Sequence, residues 1–172
     1  ERAEPAKKRV ILFSPHPDDD VISMGGTFDR LIEQGHEVHV AYQTSGNIAV
    51  SDADALRYAG ISKRISYSDE AQKLIDDIKA KKESSFDTLE VRKLKGNIRR
   101  GESYAATRYL GLPDENVHFL DLPFYETGTI KKNNLSDADI EIMMNFIKWK
   151  KSLSKLASAS HDTHPAQNHI CG

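Results

Sequence analysis

The sequence has one cysteine among its 172 residues, Cys171. That excludes an internal disulfide and any cysteine-rich zinc cluster, and it favours a cytoplasmic location. Long apolar runs are also missing: the longest is Val10-Ile11-Leu12-Phe13, far short of the roughly 20 residues that cross a bilayer, so no membrane span is expected. Nor is there a surplus of one charge. With 24 basic against 26 acidic side chains the net charge is −2, which gives no electropositive field for nucleic acid. The first strand is not followed by a G-x-G-x-x-G turn, which argues against a dinucleotide-binding domain. No internal repeat or extended low-complexity tract interrupts the chain. What remains is a composition of 38% hydrophobic and 29% charged residues, ordinary for a folded soluble domain.

Strands and helices alternate in the pattern. Arg9 to Ser14 holds the apolar run of a buried parallel strand, and Pro15 and Pro17 stop it, because proline cannot donate to a ladder. From Asp19 or Asp20, Val21, Met24, Phe28, Leu31 and Ile32 recur at helical spacing until Gln34-Gly35. His36 to Ser45 reads as a second strand closed by Gly46-Asn47. Helices are predicted over Asp52 to Ala59, Ser68 to Lys82 and Thr88 to Leu110, the last with Gly111 as its terminal cap. Val117 to Pro123 reads as a third strand, and Ser136 to Trp149 as a further helix. This order implies an α/β fold, a Rossmann-like three-layer arrangement around a mostly parallel sheet. Residues 1–8 read as a charged linker or tail, 9–151 as the domain, and 152–172 as an atypical C-terminal segment with no assigned element.

Chemistry concentrates directly after the first strand, in Ser14-Pro15-His16-Pro17-Asp18-Asp19-Asp20. Ligands of open α/β sheets bind at the carboxyl ends of strands, so the location suits a site. An imidazole among three carboxylates is a hard-to-borderline donor set suited to zinc or a similar divalent ion. The alternative is an acidic cap on the following helix, a role for which one aspartate would suffice.

With Met24-Gly25-Gly26-Thr27 behind it, this stretch resembles the H-P-D-D-E signature of the LmbE-like, or PIG-L-type, zinc-dependent de-N-acetylases. More narrowly, the chain is similar to the module found fused behind glucosamine-6-phosphate deaminase-like domains. The resemblance runs from about Arg9 to Ile147 and implies an LmbE-like fold, here C-terminally incomplete. It implies a hydrolase that removes an N-acetyl group from an N-acetylglucosamine-type sugar or conjugate by means of a zinc-bound water. His16 and Asp19 would be metal ligands and Asp18 the general base; Asp20, which stands where the family usually has glutamate, reads as a helix-start or supporting carboxylate. Arg99-Arg100-Gly101-Glu102 is similar to the family's R-x-G-E helix and implies that Arg99 holds substrate oxygens; a pair with Glu102 is the alternative. Glu126 is a second substrate-binding candidate, and Asp121 a weaker one.

The third ligand of the family comes from a late H-x-x-H segment. His161-Asp162-Thr163-His164 has that spacing without the usual proline, which implies His164 as ligand and His161 as stabiliser of the oxyanion. His169 is the other candidate ligand. The implied partners are an amino-sugar substrate and a fused or associated glucosamine-6-phosphate deaminase-like domain, with a homo-oligomer compatible. The competing reading is a degenerate, non-catalytic sugar-binding or regulatory module. His36 and His39 match nothing in the signature and read as structural or surface residues.

Overall fold

The computed structural model describes residues 6–82, 85–127, 129 and 131–161, with side chains through residue 150. They divide into two compact units, Glu1–Asn134 and Leu135–Gly172.

In the first unit three parallel strands, β1 (Arg9–Ser14), β2 (Glu37–Tyr42) and β3 (Val117–Phe119), lie in the order β1-β2-β3. Arg9 pairs with Glu37 through to Ser14 with Tyr42, and Val40 pairs with Val117. As central strand, β2 is buried from Val38 through Tyr42, on both faces rather than along one alternating stripe. Sequential parallel strands joined by helical crossovers form the Rossmann-like α/β layout that the pattern predicts.

The first crossover departs from expectation. Instead of one helix from Asp19 to Gln34, the chain makes a single turn, α1 (Asp19–Ile22), breaks at Ser23-Met24 and restarts as α2 (Gly25–Glu33). Adjacent glycines inside a helix cost about 1 kcal/mol each relative to alanine. Here they occupy the first turn of the second helix, and the amide of Phe28 closes that turn on the Met24 carbonyl at 2.8 Å. Phe28 is fully buried among Leu12, Val38, Val40, Tyr42, Leu112 and Val117.

The second crossover consists of α3 (Asp52–Ser66), α4 (Asp69–Ala80) and α5 (Leu89–Tyr109). Side-chain oxygens of Ser51, Ser68 and Thr88 accept the amides of Asp54, Ala71 and Val91, satisfying donors that a helix start leaves open. α3 continues past Ala59 and through Gly60 to Ser66, and Tyr67, at φ 53°, ends it. Ala55, Ile78 and Val91 pack the three helices together. Beside them Lys95, buried on α5, bridges Asp52 at 2.6 Å and Asp87 at 2.7 Å, and Lys81 bonds the same two carboxylates. Burial pushes both carboxyls up. The hydrogen bonds and charges of the two lysines outweigh it and hold both below the ordinary carboxylate range.

β3 ends at Phe119 rather than Pro123. Amides of Leu120 and Leu122 still bond the carbonyls of Tyr42 and Gln43, but Asp121 between them takes φ 46°, which breaks the pleat.

The second unit contains α6 (Asp137–His161). It runs past Trp149, where the apolar pattern stops, and through Ser152 without a break. No glycine or proline occurs between residues 137 and 161, so backbone propensity alone permits the extension. Among the described residues, no helix is long and apolar enough to cross a membrane.

Candidate functional site

The loop from Ser14 to Asp20 leaves the carboxyl end of β1 and is held from beneath. Ser14 is fully buried; its hydroxyl donates to the His16 carbonyl at 2.6 Å and accepts the Asp20 amide at 3.0 Å. Asp20 is also fully buried, and its carboxylate accepts the Tyr42 hydroxyl at 2.7 Å. Burial raises the pKa of both groups, and the proximity of Asp20 raises that of Tyr42 further. Asp20 therefore braces the loop from inside, as the supporting role implied. Thr44 adds a bond to the Pro15 carbonyl at 2.7 Å.

On top of this base His16 and Asp19 face each other. The Asp19 Oδ2 accepts the His16 amide at 3.0 Å and lies 3.1 Å from His16 Nδ1, with about half of the His16 side chain exposed. Two atoms bound to one tetrahedral zinc at ~2.0–2.1 Å stand about 3.3 Å apart. The donor types and their separation thus fit two corners of such a centre. Among the described residues, no group of three potential ligands is assembled. The side chain of His161, which ends α6, and all of His164 and His169 lie outside the described residues.

Asp18, between them, has φ 139° and ψ −25°, a conformation L residues rarely adopt. Such strain persists only where neighbours impose it, and it concentrates at functional positions. Here the neighbour is Arg99 of α5, whose guanidinium bonds Asp18 Oδ2 at 2.7 Å and the Pro17 carbonyl, with its other arm on Glu102 at 2.6 Å. Arg99 thus makes the alternative contact, the pair with Glu102, and clamps the loop as well. Its side chain is only 16% exposed, so it is not a surface arginine. A hollow of about 210 Å³ opens beside Asp18, Arg99 and Glu102.

Gly46 closes the other side of the loop. Its φ is 65°, and a Cβ there would stand 2.9 Å from Pro17 Cδ and 3.4 Å from Arg99 Nε. Gly46→Ala is expected to cost about 1–2 kcal/mol from the left-handed backbone alone and to displace Pro17. Thermal unfolding and activity measured together check it: both should fall.

Next along the rim, the Glu126 carboxylate accepts Asn47 Nδ2 at 2.9 Å and the Ser45 amide at 3.3 Å. Tyr125 sets its ring edge-on to His16, with centroids 5.5 Å apart. Glu126, Ser45 and Gly96 line a cleft of about 520 Å³ with Arg92, Arg100 and Asp121. Asp121 pairs with Arg100. The sequence pattern brought out His16, Asp18, Asp19, Arg99 and Glu126, but not the roles of Tyr42 or Arg92. Position at a strand end was the only signal for Tyr42. Arg92, seven residues before Arg99, carried none.

A carboxylate-and-imidazole loop at the strand ends of a parallel α/β sheet, with a cleft beside it, defines a Rossmann-like protein with a strand-end site. Residues 11–170 match the PIG-L family, described as GlcNAc-PI de-N-acetylase, and the chain belongs to that family. It is 50% identical over 158 residues to a glucosamine-6-phosphate deaminase-like protein of Bacteroides thetaiotaomicron, covering 86% of this chain and 24% of that one. Over 47 residues it is 36% identical to a diacetylchitobiose deacetylase of Thermococcus kodakarensis, covering 27% of this chain and 18% of that one. The chain thus spans about a quarter or less of the length of these relatives. No solved structure matches it.

Proposed function

We propose that the chain is a zinc-dependent N-deacetylase acting on an N-acetylglucosamine-type sugar or conjugate. The observation that carries this reading is the donor pair of His16 and Asp19, 3.1 Å apart, beside an Asp18 held in a strained conformation by Arg99. Family membership and the deacetylase named among its relatives support it. His16 and Asp19 would hold zinc, with His164 or His169 as third ligand. Zinc, when bound, supplies the charge that makes water a nucleophile near neutral pH.

The chain's own residues do the rest. Asp18 takes a proton from the water attacking the amide carbonyl and returns it to the sugar nitrogen as the C–N bond breaks, leaving acetate and a free amine. By family likeness alone, His161 would offset charge on the carbonyl oxygen during attack. Arg99 fixes Asp18 and stands with Glu126 beside the sugar. The buried Asp20–Tyr42 pair keeps the loop from shifting when substrate enters.

Acetate release from N-acetylglucosamine and its conjugates tests this reading. Release that stops on chelation and returns with zinc is expected. Sugar binding without acetate release would favour the non-catalytic reading, and chelator-insensitive release would overturn the metal mechanism.

A further inference from the structure

One face of α5 is more basic than deacetylation requires. Arg92, Gly96 and Arg100 recur at the four-residue spacing that aligns them along the helix, and all three line the cleft of about 520 Å³ together with Lys93. Gly96 lacks a side chain between the two arginines, which stand about 12 Å apart along the axis. Ser45 packs over Gly96, its Cβ 3.4 Å from where a side chain would begin, so the two arginines stand on either side of that contact. Opposite lie two carboxylates: Asp121 pairs with Arg100 through one oxygen, its other being buried without a hydrogen-bond partner, and Glu126 accepts from Asn47 and the Ser45 amide.

Arg92 has no such partner. Its one hydrogen bond goes to the main-chain carbonyl of Glu126 at 2.9 Å, its Nε is buried with no acceptor, and among the described residues no carboxylate pairs with it. Lys93, at the rim, has no ion pair among the described residues either. A half-buried guanidinium held by a neutral carbonyl keeps most of its charge available, in a setting where an anion is screened less than in open water. The cleft adjoins the His16 loop. Ser45 on its wall precedes Gly46, which stands against Pro17, and Glu126 follows Tyr125, which packs on His16.

We infer that this cleft seats an acidic substituent of the substrate, a phosphate monoester or a carboxylate, on Arg92 with Lys93 at the rim. The inference rests on the deacetylase reading for its catalytic half: the same sugar presents its acetyl group to the His16 loop and its acidic group to α5. Arg92 is then a specificity-determining residue, since a neutral sugar leaves its charge unmatched.

The test compares kcat/KM for N-acetylglucosamine, N-acetylglucosamine 6-phosphate and N-acetylmuramic acid in the wild-type chain and in Arg92→Gln and Arg92→Lys. Charge-assisted hydrogen bonds of this kind correspond to about a ten- to hundred-fold preference. At least one acidic sugar should be preferred over the neutral one by that factor, and which one it is separates phosphate from carboxylate. The ratio should collapse toward one in Arg92→Gln and recover in part in Arg92→Lys. Equal use of all three sugars by the wild type, or an unchanged ratio in Arg92→Gln, overturns the inference. If no sugar releases acetate, the deacetylase reading fails by itself. The subsite then stands or falls on calorimetric titration with the same three sugars: at least tenfold tighter binding of an acidic one, lost in Arg92→Gln, supports it, and equal or absent binding refutes it.

Discussion

Replacing Asp18 by asparagine is expected to lower acetate release about 100- to 10,000-fold, the usual contribution of a positioned general base, while leaving metal content unchanged. Asparagine keeps the shape and can still accept from Arg99, but it cannot take a proton. Asp18→Gly carries a second and separable expectation. The backbone at residue 18, at φ 139°, strains every residue except glycine. Relief of about 1–3 kcal/mol, offset by the roughly 0.5–1 kcal/mol of extra freedom glycine has when unfolded and by loss of the half-exposed Arg99 bond that asparagine keeps, about 0.2–1 kcal/mol, should leave the glycine variant roughly 0.5 kcal/mol more stable than the asparagine variant. Denaturant unfolding of the two, with activity lost in both, would show a residue kept for chemistry at the expense of stability. If the two variants were equally stable, the strain would not be a feature of the folded chain.

The second large effect lies away from the site. Lys95 is buried with two carboxylates around it, and Lys95→Met would leave Asp52 and Asp87 to Lys81 alone. Removing one partner from such a cluster is costly, but Lys81 still bridges both carboxylates and Asp52 is 41% exposed, so about 1–3 kcal/mol is expected, or a fall in Tm of roughly 2–12 °C. The pH dependence gives its sign. Asp52 and Asp87 are held below their unfolded values, so the stability they contribute is complete above about pH 4 and is lost as pH falls through their lower folded values. The difference in Tm between wild type and Lys95→Met should therefore be largest near neutrality and shrink below about pH 4. A difference that stayed constant into acid would point to lost packing, not charge.

What was legible in the sequence was local. The apolar run before Pro15 and the His16–Asp20 cluster after it lie within a dozen residues, so their order alone puts a donor set at a strand end. Helix starts at Ser68 and Thr88 were legible for the same reason, because a cap and the amide it satisfies are three residues apart. The grip of Arg99 on Asp18 was not legible, because it spans 81 positions. Neither was the approach of Gly46 to Pro17, which depends on how the β2 turn comes down on the β1 loop. The break between α1 and α2 could have been read from Gly25-Gly26, but apolar spacing through Met24 and Phe28 hides a change of axis. α6 shows the converse: its apolar pattern stops at Trp149 while its backbone, with nothing to stop it, continues to His161. The candidate ligands beyond it, His164 and His169, rest on spacing and family likeness alone.

The central claim is that His16 and Asp19 are two ligands of one zinc ion. Elemental analysis of the purified wild-type chain beside Asp19→Ala measures it directly. About one zinc per chain in the wild type, and little or none in a folded Asp19→Ala variant, is the predicted result. Equal zinc in both, or none in a wild type purified with zinc present, would contradict it.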